Sequence, residues 1–147
     1  MTQRILFVCL GNICRSPAAE GVVRAQMPEV ATDSAGTSGW HVGDPPYGPM
    51  QKAAIRRGVN LSDLRARAFV AQDFHDFDLI IAMDAENIAN IEALRPADNT
   101  TPVQLFTHYA DGPETEVPDP YYTRDFEGAL DLIERCAAGL KDQLRRQ

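Results

Sequence analysis

The fold and the chemistry of this chain are both indicated by the stretch Ile5-Leu6-Phe7-Val8-Cys9-Leu10-Gly11-Asn12-Ile13-Cys14-Arg15-Ser16-Pro17. The apolar run before Cys9 predicts a buried parallel strand, because such strands are short and apolar on both faces. Ser16 followed by Pro17 is typical of a helix start, where serine caps and proline suits the first position. A strand, a tight loop and a helix start together form a ring of backbone N–H groups that binds anions.

The spacing of Cys9 and Arg15, C-x5-R-S, adds a nucleophile to this anion site. A helix N-terminus and a nearby arginine both favour the thiolate of a cysteine, which can attack phosphorus and form a covalent intermediate. Arginine binds phosphoryl oxygens in a bidentate way. Gly11 permits close approach of the loop, and Asn12 tolerates a left-handed conformation. The alternative for Cys9 is a buried core cysteine.

Composition is that of an ordinary globular protein. Of the 147 residues, 44% are hydrophobic and 24% are charged, so we expect a single domain over residues 1–147. The net charge of −7 argues against nucleic-acid binding, which needs a basic face. The sequence shows neither a membrane-length apolar run nor a signal-peptide pattern. An odd count of three cysteines argues against a fold held together by disulfides. We expect a cytoplasmic protein with no membrane association and no metal site; the sequence leaves the oligomeric state open, and we expect a monomer.

Apolar runs and helical patterns alternate along the chain. The predicted strands cover 5–8, 30–35, 77–83 and 102–106, and the predicted helices begin at Ser16 and cover 50–57, the segment after Asp84 and 124–144. This alternation predicts an α/β fold with about four parallel strands covered on both faces, the second strand lying at an edge. Ligands bind such sheets beyond the carboxyl ends of the strands. Unusual loops leave three of these ends, at 9–15, 34–40 and 107–122, and predict one shared site.

Four motifs resemble those of the low-molecular-weight protein tyrosine phosphatases. They are Val8-Cys9-Leu10-Gly11-Asn12-Ile13-Cys14-Arg15-Ser16-Pro17, Asp33-Ser34-Ala35-Gly36-Thr37-Ser38-Gly39-Trp40, Ala82-Met83-Asp84 and Asp119-Pro120-Tyr121. The resemblance covers essentially the whole chain. It implies a cofactor-free phosphatase acting on phosphotyrosine-containing proteins, with a three-layer flavodoxin-like fold and a four-stranded parallel sheet of order 2-1-3-4.

The resemblance also implies roles for single residues. Cys9 is expected to be the nucleophile that becomes phosphocysteine, Arg15 to bind the phosphoryl group, and Asp119 to protonate the leaving group and then assist water. The phosphate cradle is expected to comprise the backbone N–H groups of Leu10, Gly11, Asn12, Ile13, Cys14 and Arg15. Asn12 and Ser34 are expected to brace the loop, and Ser16 to favour the Cys9 thiolate by a hydrogen bond.

The residues alone do not single out Asp119 among the candidate acids, which also include Asp44, Asp84, Asp111 and Asp125. Its place between Pro118 and Pro120 suits a general acid on a stiffened loop. Asp84 is expected to cap a helix.

The walls of the substrate cleft in the family are formed at positions that match Trp40 and Tyr121, and Tyr122 extends this wall. In the family, the neighbouring tyrosines can themselves be phosphorylated. Cys14 is close enough to Cys9 for a reversible disulfide that protects the nucleophile from irreversible oxidation; the alternative is a packing role. Cys136 is expected in the core.

A histidine that the family often carries in the loop after the second helix is missing from the stretch 62–67, so the bracing there must differ or be absent. The three histidines present, His41, His75 and His108, are expected to be surface or structural residues.

Two other functions use the same features. A thiol-linked arsenate reductase shares the cradle but requires extra cysteines after the third strand, where this chain has none before Cys136. A non-catalytic phosphotyrosine-binding module would keep the cradle without turnover.

Overall fold

Four short strands pair into one parallel sheet in the computed structural model, which describes residues 3–147. The strands are β1 (Arg4–Cys9), β2 (Ala31–Gly36), β3 (Leu79–Ala82) and β4 (Val103–Leu105). Their order is β2-β1-β3-β4, and each neighbouring pair is parallel. The predicted fold class and strand order are confirmed, and β2 lies at an edge as expected.

β1 is buried on both faces because its side chains alternate between two hydrophobic clusters. Ile5, Phe7 and Cys9 belong to the cluster on one face, and Leu6 and Val8 to the cluster on the other. Complete burial of such apolar side chains stabilises the fold by about 1.5–3 kcal/mol each. This two-sided burial explains why the strand is a continuous apolar run.

Helices cover both faces of the sheet and give three layers. They are α1 (Arg15–Gln26), α2 (Gly48–Ile55), α3 (Asp73–Asp76), α4 (Ala85–Glu92), α5 (Pro120–Thr123) and α6 (Phe126–Arg145), with a 3-10 turn at Phe106–Tyr109. Residues of α1, α2 and α6 pack in the first cluster, and residues of α3 and α4 in the second. Within residues 3–147, no helix is both long and apolar enough to cross a membrane.

Several element boundaries differ from the sequence prediction. The segment 107–122, predicted as one loop, contains most of α5 and most of the 3-10 turn, and α3 was not predicted. These are single turns, which are too short to carry a hydrophobic period. The strands at 77–83 and 102–106 are each shorter than predicted, because their ends lack parallel partners in the sheet.

Candidate active site

The loop between β1 and α1 curls around the sulfur of Cys9, which ends β1 and is almost fully buried. Asn12 has a φ of 57°, in the left-handed region, and its backbone N–H donates to Cys9 Sγ over 3.3 Å. Asparagine tolerates this conformation better than most residues. The predicted anion-binding geometry is therefore built around the predicted nucleophile.

The edge strand holds this loop from the side. Beyond the end of β2, the backbone N–H groups of Thr37 and Ser38 donate to the carbonyls of Cys9 and Leu10, each over 2.9 Å. Gly36 permits this approach, because a Cβ at that position would lie 2.9 Å from the Leu10 carbonyl oxygen. The loop is thus fixed to the sheet before any ligand arrives.

Ser16 does not cap α1, so that prediction is wrong. The helix begins at Arg15, and Cys14 at the cap position offers no side-chain hydrogen bond. The Ser16 hydroxyl instead lies 3.0 Å from Cys9 Sγ and accepts from Asn12 Nδ2 over 2.8 Å. The same Asn12 amide nitrogen donates to Ser34 Oγ over 2.9 Å. All the residues that the sequence assigned to bracing therefore meet beside the sulfur.

Arg15 is buried and held by three acceptors. Its Nη1 donates to Asp84 Oδ2 over 2.7 Å and to the carbonyl of Val117 over 3.1 Å, and its Nη2 lies 3.4 Å from Asp119 Oδ2. Burial opposes the charge of Arg15, but Cys9, Asp84 and Asp119 outweigh it and raise its pKa. The Nε–H is buried and has no hydrogen-bond partner among residues 3–147, so it is available to a ligand.

Asp84 does two things at once, one of which the sequence missed. Its Oδ1 accepts from the backbone N–H of Asn87 over 2.8 Å and caps α4, which confirms the predicted cap. Its Oδ2 holds Arg15. The position of Asp84 just after β3, at the end of the sheet where β1 also ends, could have indicated this contact with Arg15.

Asp119 is distinguished from the other candidate acids by its surroundings. It precedes α5, where its Oδ1 accepts from the backbone N–H of Tyr121 over 3.0 Å while Oδ2 faces Arg15. Asp44 pairs with His41, and Asp125 caps α6. Among the five candidates, Asp119 alone contributes to the cleft described next.

A cleft of about 200 Å³ opens above Cys9. Its lining comprises Cys9, Leu10, Gly11, Ile13, Cys14, Trp40, His41, Asp119, Tyr121 and Tyr122. The aromatic residues Trp40, Tyr121 and Tyr122 are all exposed, at 74%, 41% and 68% respectively. A deeply buried sulfur under an aromatic rim suits a long, flat substrate group.

His41 belongs to this lining and was not assigned there from the sequence. Its Nδ1 lies 3.2 Å from Asp44 Oδ2, and its ring packs beside Gly11, where a Cβ would lie 3.2 Å from the ring carbon Cδ2. Its position next to Trp40 in the sequence could have indicated that His41 lines the cleft. Within residues 3–147, no cluster of three or more histidine, cysteine or acidic side chains is arranged to hold a metal ion.

The three cysteines are unpaired and buried. Burial, with the neighbouring Cys9 and Asp119, raises the pKa of Cys14 to about 12, so Cys14 stays protonated at neutral pH. Cys136 lies in the core, as expected. The Cys9–Cys14 disulfide stays a prediction.

Comparison with known proteins assigns the chain to a family. Residues 4–147 match the model for low molecular weight phosphotyrosine protein phosphatases. The chain belongs to this family. The predicted recognition and the predicted enzyme class, a low-molecular-weight protein-tyrosine-phosphatase, are confirmed.

Individual members of the family are similar over nearly their whole length. The low molecular weight protein-tyrosine-phosphatase YfkJ of Bacillus subtilis is 42% identical, over 97% of this chain and 96% of its own. The corresponding PtpA of Staphylococcus aureus is 37% identical, over 95% and 92%. The crystal structure of YfkJ superposes with a TM-score of 0.94 over 99% of this chain and 96% of its own, at 39% identity. A protein tyrosine phosphatase of Entamoeba histolytica, with Hepes in its active site, gives 0.91 over 99% and 98%, at 34% identity.

Proposed function

We propose that this chain hydrolyses phosphotyrosine in protein substrates through a phosphocysteine intermediate on Cys9. The observation that carries the proposal is that Cys9 and Asp119 line one cleft, while the buried Arg15 reaches Asp119 through its Nη2 over 3.4 Å. Cys9 and Arg15 come from one loop and Asp119 from a distant segment, and the cleft has the aromatic rim that an aryl phosphate needs. The family and the names of its members support the same reaction class.

The first half-reaction transfers the phosphoryl group to sulfur. The Cys9 thiolate attacks phosphorus, the S–P bond forms, and the bond from phosphorus to the tyrosine oxygen breaks. Arg15, held in advance by Asp84, binds the phosphoryl oxygens with the backbone N–H groups of the loop. Asp119, protonated at the start, gives its proton to the departing phenolate.

The second half-reaction restores the enzyme. Asp119, now a carboxylate, accepts a proton from water as the water oxygen attacks phosphorus. The S–P bond breaks, and Cys9 returns as the thiolate while inorganic phosphate leaves. Ser16, 3.0 Å from the sulfur, is placed to stabilise the thiolate at both ends of the cycle.

The depth of the cleft accounts for the choice of phosphotyrosine. Cys9 is 3% exposed, whereas Trp40 and Tyr122 at the rim are largely exposed. A phosphate on a phenyl ring reaches the cradle while the ring stacks against the rim. A serine phosphate has a much shorter stem and leaves these contacts unmade.

A turnover experiment tests the proposal. Wild-type protein is expected to hydrolyse phosphotyrosine peptides and p-nitrophenyl phosphate but not phosphoserine peptides. Cys9→Ser should abolish turnover and still bind phosphate analogues. Cys136→Ala is the matched control, because Cys136 is a buried cysteine that does not line the cleft, and it should retain activity. Turnover by Cys9→Ser at the wild-type rate would overturn the assignment of the nucleophile.

The same protein preparation tests the two alternatives. Thioredoxin-dependent reduction of arsenate would support the reductase. Binding of phosphotyrosine with hydrolysis no faster than that of Cys9→Ser would support the binding module. Neither alternative is favoured by a specific contact of the cleft.

We further propose that the chain acts as a single-domain monomer in the cytoplasm. Free Cys9, Cys14 and Cys136 suit a reducing compartment, and the net charge of −7 opposes binding to nucleic acid. Cell fractionation and light scattering at micromolar protein are the direct measurements.

A further inference from the structure

A buried carboxyl group lies behind the nucleophile loop and has no part in the reaction described above. Glu20 is in α1, is 5% exposed, and its Oε1 accepts from Ser34 Oγ over 2.7 Å. Burial raises the pKa of Glu20, while the bond from Ser34 opposes the shift. Burying a carboxyl group costs free energy unless the group is hydrogen-bonded or paired.

Glu20 ends a continuous chain of hydrogen bonds that begins at the sulfur. The chain runs from Cys9 to Ser16, Asn12, Ser34 and Glu20, with successive heavy-atom distances of 3.0, 2.8, 2.9 and 2.7 Å. Each member is at most 5% exposed, so water does not complete these bonds. The donors must therefore find their acceptors among protein groups.

Counting protons fixes the direction of each bond. The backbone N–H of Arg67 donates to Asn12 Oδ1 over 3.0 Å, so the oxygen of this amide faces Arg67 and its NH₂ group faces the two serines. The NH₂ group gives one proton to each serine hydroxyl. The proton of Ser34 then goes to Glu20. The proton of Ser16 has two acceptors in reach, the Cys9 sulfur at 3.0 Å and the carbonyl oxygen of Ala35 at 3.5 Å, and the sulfur is the nearer of the two.

The carboxyl group of Glu20 is not paired with any basic side chain of residues 3–147. In the stretch 62–67, which lacks the histidine that the family often carries, Leu64 packs against the core. The nearest basic side chain of α1, Arg24, is engaged with Asp63 over 3.0 and 3.1 Å. Within residues 3–147, the charged groups acting on Glu20 are thus Arg24, Asp63 and Asp33, and none of these bonds to its carboxyl group.

We propose that Glu20 is a positioning residue: by accepting from Ser34, it orients the hydrogen bonds of Asn12 and Ser16 so that the Ser16 hydroxyl donates to the Cys9 thiolate. The proposal rests on the proposed role of Cys9. Without the acceptor, the Ser34 hydroxyl rotates, Asn12 loses a fixed partner, and the left-handed turn at Asn12 loosens. The effect reaches Cys9 although Glu20 touches neither sulfur nor substrate.

The test measures Cys9 itself as well as turnover. The rate of alkylation by iodoacetamide is followed against pH in Glu20→Leu, Ser34→Ala and the double variant, together with kcat/KM. Loss of one hydrogen bond predicts a 3- to 10-fold fall in kcat/KM, roughly, and a rise in the pH midpoint of alkylation. The two single changes should not multiply in the double variant, because they break the same chain.

Two further variants separate positioning from packing. Glu20→Gln keeps an acceptor oxygen and should recover most of what Glu20→Leu loses. Glu29→Leu removes an exposed carboxylate just after α1 that pairs with Arg145 at the surface, and should match the wild type.

An alkylation profile of Glu20→Leu that superposes on the wild type, or fully multiplicative losses with Ser34→Ala, would overturn the proposal. A loss of activity that follows only a lower melting temperature would also overturn it, as would equal defects in Glu20→Gln and Glu20→Leu. If the leucine variant does not fold, the same cycle is run with Glu20→Ala, which also removes the acceptor. Alkylation needs no turnover, so an inactive wild type would refute the proposed function without deciding this result.

Discussion

Asp84 offers a sharp test of how Arg15 is held, because its two carboxylate oxygens have separate partners. Oδ1 accepts from Asn87 N–H, and Oδ2 accepts from Arg15 Nη1. Asparagine brings only one oxygen, so Asp84→Asn can cap α4 or hold Arg15 but not both. Asp84→Ala can do neither.

The expected magnitudes follow from these contacts. A hydrogen bond between charged groups contributes about 1.5–3 kcal/mol, which is about 10- to 100-fold in rate if it is lost in the transition state. Both variants should therefore lower kcat/KM by about 10- to 100-fold. Asparagine is as good a cap as aspartate, whereas alanine loses about 1 kcal/mol, so only Asp84→Ala should also lower the free energy of unfolding by that amount.

The assay is kcat/KM for p-nitrophenyl phosphate alongside urea unfolding. Asp125→Ala is the matched control, because Asp125 caps α6 by accepting from Gly128 N–H over 2.8 Å. It should lower stability by about 1 kcal/mol and leave activity in place. Wild-type kcat/KM in Asp84→Ala would refute the reasoning, since Arg15 would then not depend on this carboxylate.

Four other predictions concern single positions. Asp119→Asn should lower kcat by about 10²–10⁴-fold, most strongly for poor leaving groups, as shown by a series of aryl phosphates. Gly139→Ala should lower the free energy of unfolding by about 3 kcal/mol, because its Cβ would lie 1.8 Å from the backbone oxygen of Tyr109. Burial raises the pKa of Glu20 above its ordinary value of 4.5, so the folded wild type should lose stability as pH rises above that value and Glu20 ionises. Glu20→Leu lacks this loss. Its free energy of unfolding, measured in urea and compared with that of the wild type, should therefore be more favourable at pH 7 than at pH 4. Peroxide inactivation should be reversed by dithiothreitol in the wild type and not in Cys14→Ala.

Each of these has an outcome that contradicts it. A rate that is equally depressed for good and poor leaving groups would exclude Asp119 as the acid. Gly48→Ala, at a glycine with open space around it, should be nearly neutral, and a cost equal to that of Gly139→Ala would remove the steric argument. A pH-independent difference between Glu20→Leu and wild type would contradict the ionisation argument. Full recovery of oxidised Cys14→Ala would show that the nucleophile is protected in another way.

Local patterns in the sequence were enough for the number of strands and for the nucleophile loop, whereas the strand order came from the family resemblance. The run Ile5–Val8 is apolar on both faces because both faces are buried. Cys9, Asn12 and Arg15 lie in one short loop, so the conformation of this loop follows from neighbouring residues. The choice of Asp119 came from the resemblance, not from the residues.

Long-range pairings were not predictable in the same way. Arg15 meets Asp84 69 residues away and Val117 102 residues away, and no local pattern encodes such partners. Glu20 resembles any polar helix residue in the sequence, and its burial depends on Ser34 across the fold. The error at Ser16 has the same origin, since its hydroxyl bonds to Cys9 and Asn12 instead of to its own helix.

Trp40 has a practical consequence for all of these measurements. It is the single tryptophan in the sequence and stands exposed on the rim of the cleft. The intrinsic fluorescence of the protein therefore originates at the mouth of the site, where an entering aromatic ring would alter it. Ligand entry can be followed optically in the unlabelled protein, and in Cys9→Ser it can be followed without any chemistry taking place.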